Sequence, residues 1–424
     1  MTQFVRREIL AGLSTFFTVA YLIVLYPQIL RDGGIDFGAA LTATILVMVL
    51  ATLFLAIYAN FPAVLAPGLT VGPYLIYTII QKQHATWQTA LGIVFWVGLG
   101  LFLLTQLKVR QKIIVHLPPS IKYSAIAGIG LYLICVGLKD LNIFIPQTVF
   151  FHLGPLITGP NAIAFFGLIL FFILHRFQIS SAFLISILVC WVLGLSFGLA
   201  VWKGTFALPA SLSPTFFKLD FLTPLQPEWI GALLSVLLIS LIDSTAALTV
   251  LSKLAHKEDE KGYIKNINRI LLPDGTGSMV AGLLGTGSLS YTLESSSGIK
   301  AGGRTGLTAI IAALCCLFCL FLYPLISSIP LFATAPALIA IGIFMAAEAK
   351  AVKWRDPTES IPALLTLVTI PLMFNIFQGF VFGFISFVLL KAITGRWKEV
   401  HPICWGLGIV FALHLIWTAY SDKL

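Results

Sequence analysis

Two carboxylates stand where a carboxylate is costly. Asp243 lies near the middle of the apolar run LLISLIDSTAALTVL, and Glu294 lies in GTGSLSYTLESSSG, a polar stretch between apolar segments. An acidic side chain at mid-membrane costs roughly 2.5–3.5 kcal/mol on insertion scales, so such residues face polar cavities and mark ion, proton or substrate paths. A carboxylate there can accept hydrogen bonds from a polar guest, and it can carry a proton. Of the 17 acidic residues, the others fall in loops or at segment ends, with Asp274 and Glu348 near the ends of their spans. The C-x-x-C within CCLFC has no second pair and no nearby histidine to complete a metal site. The residues therefore point to binding and proton handling, with no metal and no cofactor.

The elements that must position these acids are membrane spans. The chain has 424 residues, 58% hydrophobic and 10% charged, against about a quarter charged in soluble domains. Apolar runs near twenty residues recur along it. Hydropathy predicts fourteen spans, with 402–419 as a fifteenth or an interfacial helix. No cleavable signal peptide is expected at MTQFVRREIL. With the N-terminus inside, alternation puts 20 of the 26 Lys and Arg residues on the cytoplasmic side, Lys112, Lys261 and Lys265 among them; Lys423 depends on the last stretch. The same bias accounts for the net charge of +9 without a nucleic-acid partner, and the mixed-charge run KLAHKEDEKGYIKNINR reads as a solvated cytoplasmic loop. The expected setting is the lipid bilayer of a bacterial inner membrane, multi-pass, with the N-terminus cytoplasmic. In RDPTESIP, Asp356 is placed to cap a helix with Pro357 in its first position and Glu359 three residues after the cap.

Two spans are broken. GLLGTGSLSYT is a poor helix: SLSYT suits a short extended segment, and LESSSGIKAGG can resume a helix that stops near Gly302. In the first half, AVLAPGLTVGPYLIYTII carries Pro67, Gly68, Thr70, Gly72 and Pro73, which predicts an extended GLTVG and a helix resuming near Tyr74. Extended backbone inside a bilayer is tolerated only where protein or a cavity surrounds it. The breaks fall in the third and tenth spans, seven apart, so they enter from opposite faces, as in inverted-repeat secondary transporters. Half-helix N-termini then present free N–H groups near Tyr74 and Thr292, and Tyr74 or Tyr291 can stack on a ring.

These stretches resemble the nucleobase–cation symporter-2 (nucleobase/ascorbate transporter) family, in its AzgA-like hypoxanthine/adenine/guanine permease branch. The carriers of the likeness are REILAGLSTFFTVAYLIVLYPQIL, LAPGLTVGPYLIYT, SAIAGIGLYLICVGLKD, SLIDSTAALTVLSK, LLPDGTGSMVAGLLGTGSLSYTLESSSGIKAGGRTGLTA and ATAPALIAIG. The resemblance implies an all-α polytopic protein of about 14 spans in two inverted seven-span repeats, with short strands in spans 3 and 10. It implies a core domain from 8–108 and 225–326, a gate domain from 109–224 and 327–401, and a C-terminal apolar segment 402–424. Substrate would sit at the boundary of core and gate, with transport by the core rocking against the gate. The implied function is import of a neutral nucleobase, a purine, by proton symport, with sodium open as the coupling ion and a homodimer open as the assembly. Glu294 and Asp243 match the family's binding carboxylates, joined by Thr70, Gly72, Tyr74, Tyr291 and Thr292; at Thr70 and Gly72 the chain departs from the family's usual Gly and Asn. Two rivals make different demands. An anion transporter of the same fold needs a cation at the site, where only Lys300 and Arg304 lie near. An intramembrane aspartyl protease would use Asp243 with Asp274, but LLPDGTG lacks the Gly-x-Gly-Asp it requires.

Overall fold

The structure is a computed structural model that describes residues 2–108, 110, 118–146, 151–257, 264 and 266–421. The stretches around Lys112 and around Lys261 and Lys265, read above as cytoplasmic, lie partly outside these residues, as does Lys423. Nine of the described helices are long and apolar enough to cross a membrane, and three shorter apolar helices accompany them.

One compact unit comprises Met1–Lys108 and Gly137–Leu338. It begins with α1 (Thr2–Asp32) and α2 (Phe37–Ala59). The third span is broken as the sequence predicts, but the break is placed differently. The extended part is β1 (Leu65–Pro67), not 68–72. A short helix α3 (Val71–Pro73) follows at once and continues as a π-helix, Tyr74–Lys82. The physical reason is Gly68: its N–H prolongs the strand by donating to Ser288 O at 2.9 Å, and its carbonyl accepts from Val71 and Gly72 N–H at 3.1 and 3.0 Å. The helix therefore starts three residues earlier than predicted. Pro73, lacking an N–H, falls within the first turn, where none is needed.

Next come α4 (Trp87–Gln106), α5 (Pro119–Asp140), of which only the end from Gly137 belongs to this unit, the strand pair β2 (Phe144–Pro146) and β3 (Phe151–Leu153), α6 (Gly159–Arg176) and α7 (Ala182–Ser196). α7 stops as helix at Ser196, two residues before Gly198 turns to φ +70°. α8 (Pro227–Leu254) and α9 (Ile267–Leu284) lead into β4 (Leu289–Tyr291), a single 3-10 turn Leu293–Ser295 and α10 (Ser296–Lys300). SLSYT is thus extended, and the helix after it ends just before Gly302 at φ +110°. α11 (Gly306–Phe318) and α12 (Tyr323–Ser327) follow, with a 3-10 turn between them and Pro324 in the first turn of α12. α13 (Leu331–Ala346) comes next and leaves this unit after Leu338.

The two broken spans meet. β1 and β4 pair antiparallel with Leu65 opposite Tyr291, Ala66 opposite Ser290 and Pro67 opposite Leu289, all six buried. Each strand thereby satisfies backbone groups that lipid cannot. Around them helices touch through small residues. A Cβ on Gly98 of α4 would lie 2.4 Å from Met279 N on α9, and one on Gly282 of α9 would lie 2.8 Å from Leu91 O on α4. Close backbone approach of this kind is how membrane helices gain packing energy. Glu8, placed at a span end by sequence, is 0% exposed: its carboxylate accepts from Arg304 N at 3.0 Å and Thr308 N at 3.2 Å, capping α11 from α1.

The other compact unit comprises Val109–Val136 and Ile339–Leu424. It holds α5 up to Val136, α13 from Ile339, α14 (Pro357–Met373), α15 (Ile376–Ile393) and α16 (Pro402–Ser421). Phe411 of α16 sets its ring edge-on to Phe377, Phe380 and Phe384 of α15, at 5.9, 6.0 and 5.4 Å between centroids. Asp356 caps α14 as predicted, accepting from Thr358 N at 3.0 Å with Pro357 in the first helical position. Glu359 turns instead to Lys391, 2.9 Å away.

Arg396 joins this cap to Glu399, donating to Asp356 Oδ2 at 2.7 Å and to Glu399 Oε1 at 2.8 Å. Its hydrogen bonds, with that of Thr358, hold Asp356 at about 2 against an ordinary 3.8. The bonds from Arg396 and Lys391 hold Glu399 at about 2 against 4.5. Both carboxyls bind protons more weakly folded than unfolded, so their contribution is full above the ordinary values and is lost as pH falls toward 2. Melting of the purified protein between pH 5 and pH 3 should fall more steeply for wild type than for Arg396→Gln, and added salt should shrink the difference. Parallel curves would show that the cluster adds nothing.

Candidate functional site

The pairing of β1 with β4 fixes what surrounds the two acids. Asp243 sits mid-way along α8 and faces the first broken span. Thr70 Oγ1 donates to its Oδ2 at 3.1 Å, and Ser290 of β4 hydrogen-bonds the same carboxyl. Gly68 lets this happen, since a Cβ there would stand 3.1 Å from Asp243 Oδ2 and 3.3 Å from Ser290 Oγ. Glu294 sits in the 3-10 turn after β4. Tyr21 of α1 donates to its Oε1 at 2.6 Å, the short distance of a charge-assisted bond. Both acids keep accessible surface, while Tyr21, Thr70 and Ser290 around them are buried. The two carboxyls are near enough for their charges to interact.

α1 holds the Glu294 turn in register. Thr15 Oγ1 is the nearest atom to a Cβ built on Gly298, Thr18 Oγ1 lies 2.6 Å from Ser297 Oγ, and Tyr21 reaches Glu294. Residues three apart on one face of α1 thus meet the turn and α10 in antiparallel order. Tyr21 also stacks on Phe183 at 4.7 Å, and Phe183 on Phe171 at 4.4 Å. Behind the strand, Ser288 Oγ lies 3.1 Å from Ser240 Oγ of α8 and 3.2 Å from Ser278 Oγ of α9, and Ser278 accepts from Leu289 N at 2.9 Å.

The other residues expected at the site have different surroundings. Tyr291 is 2% exposed, and its hydroxyl donates to Ile270 O. Tyr74 is 1% exposed and hydrogen-bonds Ser235 of α8. Two N–H groups expected to be free are engaged: Thr292 N donates to Val64 O at 3.1 Å, and Tyr74 N donates to Val71 O. The Thr292 hydroxyl also donates to Val64 O, at 3.0 Å. Gly72 is buried against the ring of Tyr26, whose nearest atom would be 2.7 Å from a Cβ at 72. Asp243, Glu294 and Thr70 are therefore brought together, whereas Tyr291 and Thr292 serve the strand pairing. Tyr21, Thr18 and Ser290 were not singled out from sequence. The three-residue spacing of Thr15, Thr18 and Tyr21 in a mostly apolar first span is the signal that marks that face.

The arrangement can hold a small polar guest against carboxyl oxygens supported by hydroxyl donors. The sequence profile of a permease family, Xan_ur_permease, matches residues 6–382. The chain belongs to the nucleobase–cation symporter-2 permease family. This permease is 33% identical over 413 residues to adenine permease AdeQ of Escherichia coli, covering 97% of this chain and 93% of that one. It is 31% identical over 420 residues to guanine/hypoxanthine permease PbuO of Bacillus subtilis, covering 97% of each. Among solved structures, the transmembrane domain of the cyanobacterial bicarbonate transporter BicA shares the fold, with TM-score 0.62, 17% identity, and coverage of 88% of the permease and 97% of that domain. The family is one of transporters, so the protease alternative falls and the protein is not an enzyme. The likeness to BicA concerns fold alone, and the anion alternative gains no cation at Asp243 or Glu294 from it.

Proposed function

We propose that this permease imports a neutral purine nucleobase by proton symport, across a cell membrane with its N-terminus cytoplasmic. The observation that carries this reading is the pair of part-accessible carboxyls at the two broken spans, each with a hydroxyl donor in place: Tyr21 on Glu294 and Thr70 on Asp243. A purine ring offers N–H donors and bare nitrogens on one edge. Glu294 accepts from the ring N–H groups, and Asp243 carries the coupling proton, with Thr70 and Ser290 orienting it. Buried polar groups left unpaired by a wrong base make discrimination steep. The names of the relatives support purines over other guests, and the antiparallel meeting of β1 with β4 supports two inverted repeats of seven spans.

The test is uptake of labelled adenine, guanine, hypoxanthine, xanthine and uracil into cells or vesicles with an imposed proton gradient. At least one purine should accumulate, uracil should not compete, and a protonophore should abolish accumulation. Asp243→Asn should keep base exchange across the membrane but lose accumulation. Uptake of uracil alone, or accumulation indifferent to the protonophore and driven by sodium, would overturn the substrate or the coupling ion respectively.

A further inference from the structure

Away from the carboxyl pair, the first unit carries a basic concavity. It has a volume of 590 Å³ and is lined by Lys253, Leu254, His256, Ile299, Lys300 and Arg304. Lys253 stands in the last turn of α8 and Lys300 ends α10. Basic groups at helix C-termini are favourable on their own account. Arg304 is explained that way: its Nη1 donates to Leu254 O at 3.1 Å and Ile299 O at 3.2 Å, closing the carbonyl ends of both helices. Lys253 and Lys300 stand at helix C-termini too, but their ammonium groups also face the hollow. Lys253, His256 and Lys300 are exposed around the same hollow, no described acid lines it, and the like charges of the lysines and Arg304 held together raise each other's energy. An anion seated among them relieves that repulsion.

We propose that this concavity binds a phosphate-bearing organic anion. Lysine is a point-charge donor suited to a tetrahedral oxyanion. The volume lies within the range of small-molecule sites, roughly 300–1,000 Å³, and exceeds what inorganic phosphate alone would fill. Leu254 and Ile299 supply apolar wall for an organic moiety. The basic bias of the sequence assigns this end to the cytoplasm, where two sources of such a group exist: a nucleotide in solution and the headgroup of an anionic phospholipid. Either one bridges Lys253 and His256 to Lys300 and Arg304, tying the end of α8, which carries Asp243, to the end of α10, which follows the Glu294 turn.

The experiment uses the full chain, purified and stripped of lipid. Adenosine monophosphate is titrated calorimetrically, with adenosine as the phosphate-free control. In parallel, nanodiscs with and without phosphatidylglycerol are compared for thermal stability. The probe protein is wild type beside the double variant Lys253→Gln/Lys300→Gln, whose exposed positions leave folding intact, checked by gel filtration and melting. Saturable binding of the monophosphate but not of adenosine, weakened about tenfold or more for each cation removed, supports the site and assigns a soluble source. Stabilisation by phosphatidylglycerol alone, lost in the double variant, supports the site and assigns the lipid. Equal responses of wild type and double variant, equal binding of adenosine, or no response to either phosphate source overturns the proposal.

Discussion

Glu294→Gln should lower kcat/KM for purine uptake by at least about 100-fold, while the protein still folds and inserts. Glutamine keeps a carbonyl oxygen to accept from Tyr21, which wild type engages at 2.6 Å, so the support from α1 survives. What changes is the group offered to the guest: an amide presents N–H donors where a carboxylate presents only acceptors. A ring N–H then meets a donor, and one hydrogen bond to a charged group is lost in a partly desolvated site, costing about 1.5–3 kcal/mol before the repulsion is counted. Melting should move by no more than a surface substitution does, about 0.5 kcal/mol. Glu294→Asp, which keeps the charge but shortens the reach, should fall between the two. Unchanged uptake in the glutamine variant would remove Glu294 from the site.

The second large effect is structural. The ring of Tyr26 is wedged between the two broken spans, 0% exposed, and its hydroxyl has no hydrogen-bond partner among the described residues. A Cβ on Gly287 would lie 1.8 Å from that hydroxyl and 3.0 Å from Cζ, while a Cβ on Gly72 would lie 2.7 Å from Cε2. Gly287→Ala should therefore destabilise by about 3 kcal/mol or more, at or beyond the upper end of ordinary overpacking. Tyr26→Phe alone should be neutral or slightly stabilising, because it deletes a buried group with no partner. Combined with Gly287→Ala it should restore most of the loss, since the 1.8 Å contact is with the deleted oxygen. Gly72→Ala should not be rescued, because its closest contact is ring carbon that phenylalanine retains. Equal rescue at both glycines, or none at Gly287, would show that the ring is held differently.

The central acids were legible because they broke a rule of composition: a carboxylate in oil is visible without knowing its neighbours. The strand at Leu289–Tyr291 was legible for a similar reason, since SLSYT between glycines cannot continue a helix. Its partner was misplaced because local propensity read Gly68–Gly72 as the extended part, whereas the actual register is set by β4 and by the two helical N–H groups converging on the Gly68 carbonyl. Such a pairing joins segments from opposite halves of the chain and leaves no local trace. The same holds for Tyr26, Gly72 and Gly287, which meet from three separate spans. Tyr21 differs: its spacing with Thr15 and Thr18 was present in the sequence, and only its partner on the Glu294 turn was not. Thr292 shows the converse error, because a residue in the right place has its N–H and hydroxyl committed to Val64 O.

The most direct test is an experimental structure of this permease with a purine bound. Ring density should lie beside the junction of β1 and β4, with a ring N–H within hydrogen-bond reach of the Glu294 carboxylate and Asp243 near enough to act through Thr70 or Ser290. Density elsewhere, with Glu294 still bonded only to Tyr21 and the two strands empty, would contradict the account.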